Sequence, residues 1–203
     1  MKAKLSVALV SAFSLLLLTV APSSALGAEF EGVGGVYPQA FSNTNATLHF
    51  FNLNATDKVE CEGAKLKGEL ASKSPKLVLV PEYTGCVYSD GVKFYGATIT
   101  TKCAYEFTIT GGTSSPFTGK MAIINSGCQI LIFVPSPACE VSFEPQGPNG
   151  SVEYTVSSPT MKWKLAVSSL KYHASGSCPG VPTGNYATGE YAAQFSDQKI
   201  IVH

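Results

Sequence analysis

Six cysteines constrain this chain more than any other feature: Cys61, Cys86, Cys103, Cys128, Cys139 and Cys178. The closest pair, Cys128 and Cys139, is 139 − 128 = 11 positions apart. Structural zinc sites and dithiol redox centres need close pairs such as Cys-x2-Cys, so the spacing points to neither a metal nor a redox role. An even number of well-separated cysteines in an exported chain reads as a set of structural disulfides. An internal repeat favours one pairing. Cys61 is followed by Lys65-Leu66-Lys67-Gly68, then Ser74-Pro75, then a β-rich run ending at Gly85-Cys86. Cys103 is followed by Thr108-Ile109-Thr110-Gly111, then Ser115-Pro116, then a run ending at Gly127-Cys128. If each copy closes on itself, Cys61 pairs with Cys86 and Cys103 with Cys128, which leaves Cys139 for Cys178.

Export is expected from the N-terminus. Lys2 and Lys4 precede an apolar run from 5 to 20, and Pro22-Ser23-Ser24-Ala25-Leu26-Gly27 follows. This is the layout of a cleavable secretory signal peptide, with the cut after Ala25 or Gly27. The run is shorter than the ~20 residues a bilayer-spanning helix needs, and no second hydrophobic stretch approaches that length. Residues 1–27 are therefore expected to be a signal peptide and the remainder to lie outside the cell, secreted or at its surface, with no membrane span.

Charge narrows the partner class. All 14 basic residues are lysine. Nucleic-acid binding usually shows as a basic patch rich in arginine, and this chain has no arginine at all. Charged residues make up 14% of the sequence, against about 25% in ordinary domains. The surface must then be covered mainly by Ser, Thr, Asn and Gly. Nucleic acid is excluded as a partner; an extracellular protein or a carbohydrate remains.

The periodicity is that of β structure throughout. Residues 28–45 are Gly-rich and then Asn/Thr-rich, and read as a flexible lead before a single domain over 46–203. A first strand is expected over 46–53. Val59 and Cys61 alternate with Lys58 and Glu60, the mark of a half-buried strand, and 64–70 reads as strand as well. Residues 77–80 are apolar on both faces and read as a buried strand. Asp90-Gly91 predicts a tight hairpin with positive φ at both turn positions. Odd positions from Tyr95 to Ile109 share a face, with a break expected near 100–102. Asn125-Ser126-Gly127 predicts a second hairpin, 145–150 an open loop and 173–183 another, and the phase shift at Ser168-Ser169 a bulge. About ten short strands with Gly/Pro turns predict an all-β fold, an antiparallel β-sandwich stabilised by disulfides.

Catalytic signals are sparse. The histidines are His49, His173 and His203, and the aspartates Asp57, Asp90 and Asp197. A triad can assemble from distant positions, so a secreted hydrolase built on His49 or His173 is the enzyme alternative. Neither a Gly-x-Ser-x-Gly elbow nor a His-Glu-x-x-His motif occurs. Glu60 with Glu62 and Glu140 with Glu144 could serve as carboxylate pairs, yet their phase opposite apolar residues places them on solvated faces. No catalytic, cofactor-binding or metal-binding residue is therefore assigned, and no cofactor is expected. Asn45, Asn54 and Asn149 head glycosylation triplets. Tyr83, Tyr88, Phe94, Tyr95, Tyr105, Phe107 and Trp163 could form a binding face, although core packing accounts for most of them. Phe94 and Tyr95 must point to opposite sides of a strand.

Gly85-Cys86-Val87-Tyr88, Lys102-Cys103-Ala104-Tyr105 and Cys139-Glu140-Val141, behind a signal peptide, resemble secreted cysteine-containing β-proteins of high-GC soil bacteria. That resemblance implies no activity and carries no functional residue with it. The expectation is a binding or structural module at or beyond the cell surface. An extracellular protease inhibitor, presenting 145–150 as its protruding loop, is a further alternative.

Overall fold

The computed structural model describes residues 27–42 and 48–203. The signal peptide expected over residues 1–27, all but its last position, and the Asn45 triplet lie outside the described residues, as do the first two positions of the strand expected over 46–53. Within the described chain every long element is a strand. In order they are β1 (Phe30–Gly32), β2 (Gln39–Ser42), β3 (Leu48–Asn52), β4 (Lys58–Leu70), β5 (Lys76–Ser89), β6 (Phe94–Thr101) and β7 (Ala104–Gly111). They continue with β8 (Phe117–Ile124), β9 (Ile130–Val134), β10 (Cys139–Phe143), β11 (Gln146–Ser157), β12 (Thr160–Gly176), β13 (Tyr186–Asp197) and β14 (Ile200–Val202). A single turn of 3₁₀ helix, Val33–Gly35, is the only helical element described. No described helix is long and apolar enough to cross a membrane.

The strands close on themselves. Eight of them form a ring in the order β5, β7, β8, β11, β12, β13, β3, β4 and back to β5. The architecture is thus a barrel with extra strands, which corrects the expected sandwich. Two long strands make the difference. β5 pairs through Lys76–Leu79 with β7 and through Cys86–Ser89 with β6. β12 pairs through its first half with β11 and at its far end with β10, the strand that begins at Cys139. Between β5 and β12 the wall is therefore built from two triplets stacked end to end, β7-β8-β11 and β6-β9-β10. Alternating patterns cannot separate these cases, because a strand has one buried and one solvated face in a sandwich and in a barrel alike.

The three disulfides are Cys61–Cys86, Cys103–Cys128 and Cys139–Cys178. Both copies of the repeat are hairpins clamped towards their open ends. Cys61 and Cys86 face each other directly in the β4–β5 ladder, with Cα atoms 3.9 Å apart. Cys103 precedes β7 and Cys128 follows β8, the two strands of the second hairpin. The third bond ties the start of β10 to the loop after β12.

Several local expectations change. The described part of the supposed lead carries β1 and β2; β1 pairs with β14, and Phe30 is fully buried. Residues 145–150 do not protrude, because 146–150 belong to β11 and pair irregularly with β8 at Gln146↔Ile123 and Asn149↔Met121. The loop expected from His173 begins later, since β12 runs to Gly176. Val78 and Val80 point outward and are 42% and 43% exposed, so 77–80 is buried on one face only. Asn125-Ser126-Gly127 turns the chain with positive φ at Asn125 and Gly127, yet it carries the chain from one triplet to the other rather than joining paired strands. The Asp90-Gly91 hairpin is present, with positive φ at Gly91 alone. Asp90 acts instead through its carboxylate, which accepts from Val92 N and Lys93 N at 2.9 and 2.7 Å. The predicted bulge sits between Val167 and Leu170, with Ser169 at φ 56°, and the long odd-phase run breaks between β6 and β7.

Candidate functional site

Inward-facing side chains pack in layers along the barrel axis. Trp163 sits at the end nearest β1 and β14, among Phe30, Phe41, Phe107 and Tyr154. The middle layer is polar at its heart. Tyr83, Tyr105 and Tyr191 come from β5, β7 and β13, and His49 from β3. The Tyr83 hydroxyl lies 2.5 Å from that of Tyr105 and donates to that of Tyr191 at 3.2 Å; His49 Nδ1 is 3.4 Å from the Tyr191 hydroxyl. Linking hydroxyls in a chain satisfies donors that would otherwise be costly to bury. Burial, followed by the neighbouring Tyr105, raises the pKa of Tyr83 and that of Tyr191. None of these phenols is poised to ionise.

His49 is 1% exposed, and its Nε2 has no hydrogen-bond partner. Burial lowers its pKa to about 4, because an imidazolium cannot be hydrated there. Among the described residues no carboxylate or serine is hydrogen-bonded to it, so His49, one of the two histidines of the hydrolase alternative, is a core residue; His173, the other, is half-buried. The burial of His49 has a consequence for acid stability. Between pH 6.5 and 4 the unfolded chain binds a proton at His49 that the folded chain does not, so stability rises with pH through this window. The change is worth roughly 3 kcal/mol across it and is absent above the unfolded pKa. Urea titrations at several pH values should show that slope, and His49→Gln should reduce it.

All three aspartates serve structural hydrogen bonds, Asp90 and Asp197 to the backbone and Asp57 to side chains. Asp90 caps its hairpin, and Asp197 accepts from Lys199 N and Ile200 N at 2.7 and 2.8 Å. Asp57 is 1% exposed. It accepts hydrogen bonds from the Tyr88 hydroxyl and from Thr56 Oγ1. The same Tyr88 hydroxyl reaches Pro179 O at 2.8 Å, and Asn54 Nδ2 donates to Gly180 O at 2.9 Å. The 54–57 turn and the loop held by Cys178 are thus clamped together over one end of the barrel. Asn54 spends its amide on that clamp, so glycosylation there would compete with the fold. Gly180 has φ +70°, and a Cβ on it would lie 2.4 Å from Asp57 Oδ2. Gly180→Ala should therefore cost about 1–3 kcal/mol, measurable as a lowered melting temperature.

The remaining candidates face outward. Glu60, Glu62, Glu140 and Glu144 are all exposed, as their phase predicts, and Glu60 is tied to Lys58 at 3.2 Å. His203 Nε2 lies 4.0 Å from Glu31. Of the seven aromatics proposed as a face, Tyr83, Tyr88, Tyr105, Phe107 and Trp163 are core, Tyr95 is half-buried and Phe94 is 73% exposed. Two exposed aromatics lay outside that set: Phe133 at 41% and Tyr186 at 62%. Their phase could have found them, since Ile130, Ile132 and Val134 point inward, as do Tyr191, Ala193 and Phe195.

Tyr186 stands beside a surface hollow of about 350 Å³, lined by Glu144, Pro145, Gln146, Lys171, Ala187 and Thr188 as well as Tyr186 itself. The hollow lies where the two wall triplets part. There β12 has neither β11 nor β10 beside it, and the Gln146 side chain substitutes for a strand. Its Nε2 donates to Lys171 O and its Oε1 accepts from Lys171 N, both at 2.8 Å. The Tyr186 hydroxyl donates to Glu144 Oε2 at 3.2 Å, and the half-buried His173 ring meets the Tyr186 ring edge-on at 5.9 Å. Two further hollows, of about 360 and 490 Å³, lie at Glu153–Lys162–Gln194 and at Asn52–Ser169–Glu190. Among the described residues no group of three or more His, Cys, Asp and Glu could hold a metal ion. Comparison with protein families, with curated proteins and with solved structures finds no match.

Proposed function

We propose that this chain is an exported, disulfide-stabilised barrel that works as a binding or structural module at or beyond the cell surface, through the outside of its wall. One contrast carries the reading. His49 and the three aspartates are committed to the interior or to turns, whereas Phe94, Phe133 and Tyr186 are left exposed on a surface poor in charge. Exposed aromatics are the usual anchors of recognition surfaces. The signal-like N-terminus and the three disulfides support export. The test is to express the full chain in its tagged form, separate cells from medium, and measure how much of the protein is retained on the cell surface. Retention that falls when Phe94, Phe133 and Tyr186 are all replaced by serine supports the reading. Protein confined to the cytoplasm, or retention indifferent to all three replacements, contradicts it.

A further inference from the structure

The geometry points to the hollow beside Tyr186 as a binding site for a neutral, polyhydroxylated sugar ring; this rests on the binding-module reading and names its ligand class. The hollow brings together what such a ligand requires. A sugar ring has C–H-rich faces and a hydroxyl rim. Tyr186 offers an exposed aromatic face, and the bond from its hydroxyl to Glu144 holds the ring in place. A preorganised aromatic loses little freedom on binding, which favours affinity. Pro145 and Ala187 add small apolar surface.

The polar complement is arranged for hydroxyl groups. Glu144 Oε2 takes the Tyr186 hydroxyl, so its second oxygen is the acceptor left for a ligand. Lys171 and Thr188 stand directly opposite each other in the β12–β13 ladder, both exposed, and supply an ammonium donor and a hydroxyl. Neither Glu144 nor Lys171 has an ion-pair partner within 4.0 Å among the described residues. One carboxylate and one ammonium leave the hollow without net charge, which disfavours an anionic or cationic ligand. A volume of about 350 Å³ falls at the small end of ligand sites, suited to a compact ring and not to a long peptide.

The seam in the wall explains why the hollow is here. Gln146 already closes the backbone of β12 at Lys171, so a ligand need not pair with main chain. Gln146, Lys171, Tyr186, Ala187 and Thr188 are carried by strands, and Glu144 and Pro145 by the two-residue connection between β10 and β11, so the site is framed by rigid elements.

The experiment uses the purified full chain without its signal segment. Binding is measured by NMR titration with glucose, galactose, N-acetylglucosamine and a galacturonate oligomer, and by pull-down on cellulose, xylan and chitin. Saturable binding to a neutral member is expected. Tyr186→Ala should weaken it about tenfold or more. Tyr186→Phe, which keeps the ring and loses the Glu144 bond, should weaken it less. Because Tyr186 is exposed, an unchanged melting curve for each variant is expected and checks the fold. Binding that survives Tyr186→Ala but is lost with Phe94→Ala and Phe133→Ala would overturn this site while leaving the binding-module reading intact. Binding to galacturonate alone, or to nothing in the panel, would overturn the ligand class; the cell-retention measurement, which uses no sugar, judges the broader reading independently.

Discussion

Replacing Trp163 with alanine is expected to lower the free energy of unfolding by about 3–5 kcal/mol. Trp163 is 1% exposed, and its ring lies 4.9 Å from Phe107, 5.1 Å from Phe41 and 5.4 Å from Tyr154. Those neighbours come from β7, β2 and β11, and Phe30 of β1 lies 6.0 Å away. Deleting the ring would open a cavity that strands of a closed barrel cannot collapse to fill, and it would loosen the packing of β1 over this end. The indole Nε1 is buried without a partner. Trp163→Phe should therefore cost distinctly less, since it keeps much of the packing and removes an unsatisfied donor. Urea denaturation followed by far-UV circular dichroism measures both. A loss below about 1 kcal/mol for the alanine variant would mean that this layer does not support the fold as described.

Full reduction of the disulfides should unfold the protein. The bonds close loops of 25, 25 and 39 residues. In the chain-entropy account the first two contribute about 3.5 kcal/mol each and the third about 4 kcal/mol. Together they rival the whole stability of a typical domain, about 5–15 kcal/mol. Removing one hairpin clamp alone, through Cys61→Ala with Cys86→Ala, should lower the melting temperature by about 10 °C. A reduced protein that kept native circular dichroism at room temperature would show that packing suffices without the bonds.

The disulfide pairing was legible because the same 25-residue interval recurs around two hairpins, and hairpin closure is a local property. Strand phase was legible for a similar reason. The inward positions of β7, Tyr105, Phe107 and Ile109, follow from alternation alone. Closure was not. It depends on β5 and β12 each pairing with two different strands along one edge, and nothing local in either sequence announces a second partner. Residues 28–45 read as a loose lead because Gly-rich composition hides a few decisive side chains; within the described part, Phe30 fills the barrel end from a strand of only three residues. Residues 145–150 read as a loop on their Pro and Gly, yet a strand with register shifts accommodates both. The hollow was half legible. Outward phase marks Tyr186, but only the folded chain brings Glu144, Gln146 and Lys171 to it.

We propose an exported barrel tied by three specific bonds. Its most direct test is to collect the protein from the medium, determine its N-terminal sequence and map its disulfides by peptide mass spectrometry without reduction. The expected result is a chain beginning after Ala25 or Gly27 with Cys61–Cys86, Cys103–Cys128 and Cys139–Cys178 as its bonds. A free thiol, a bond between the two copies of the repeat, or protein found only inside the cell would contradict it.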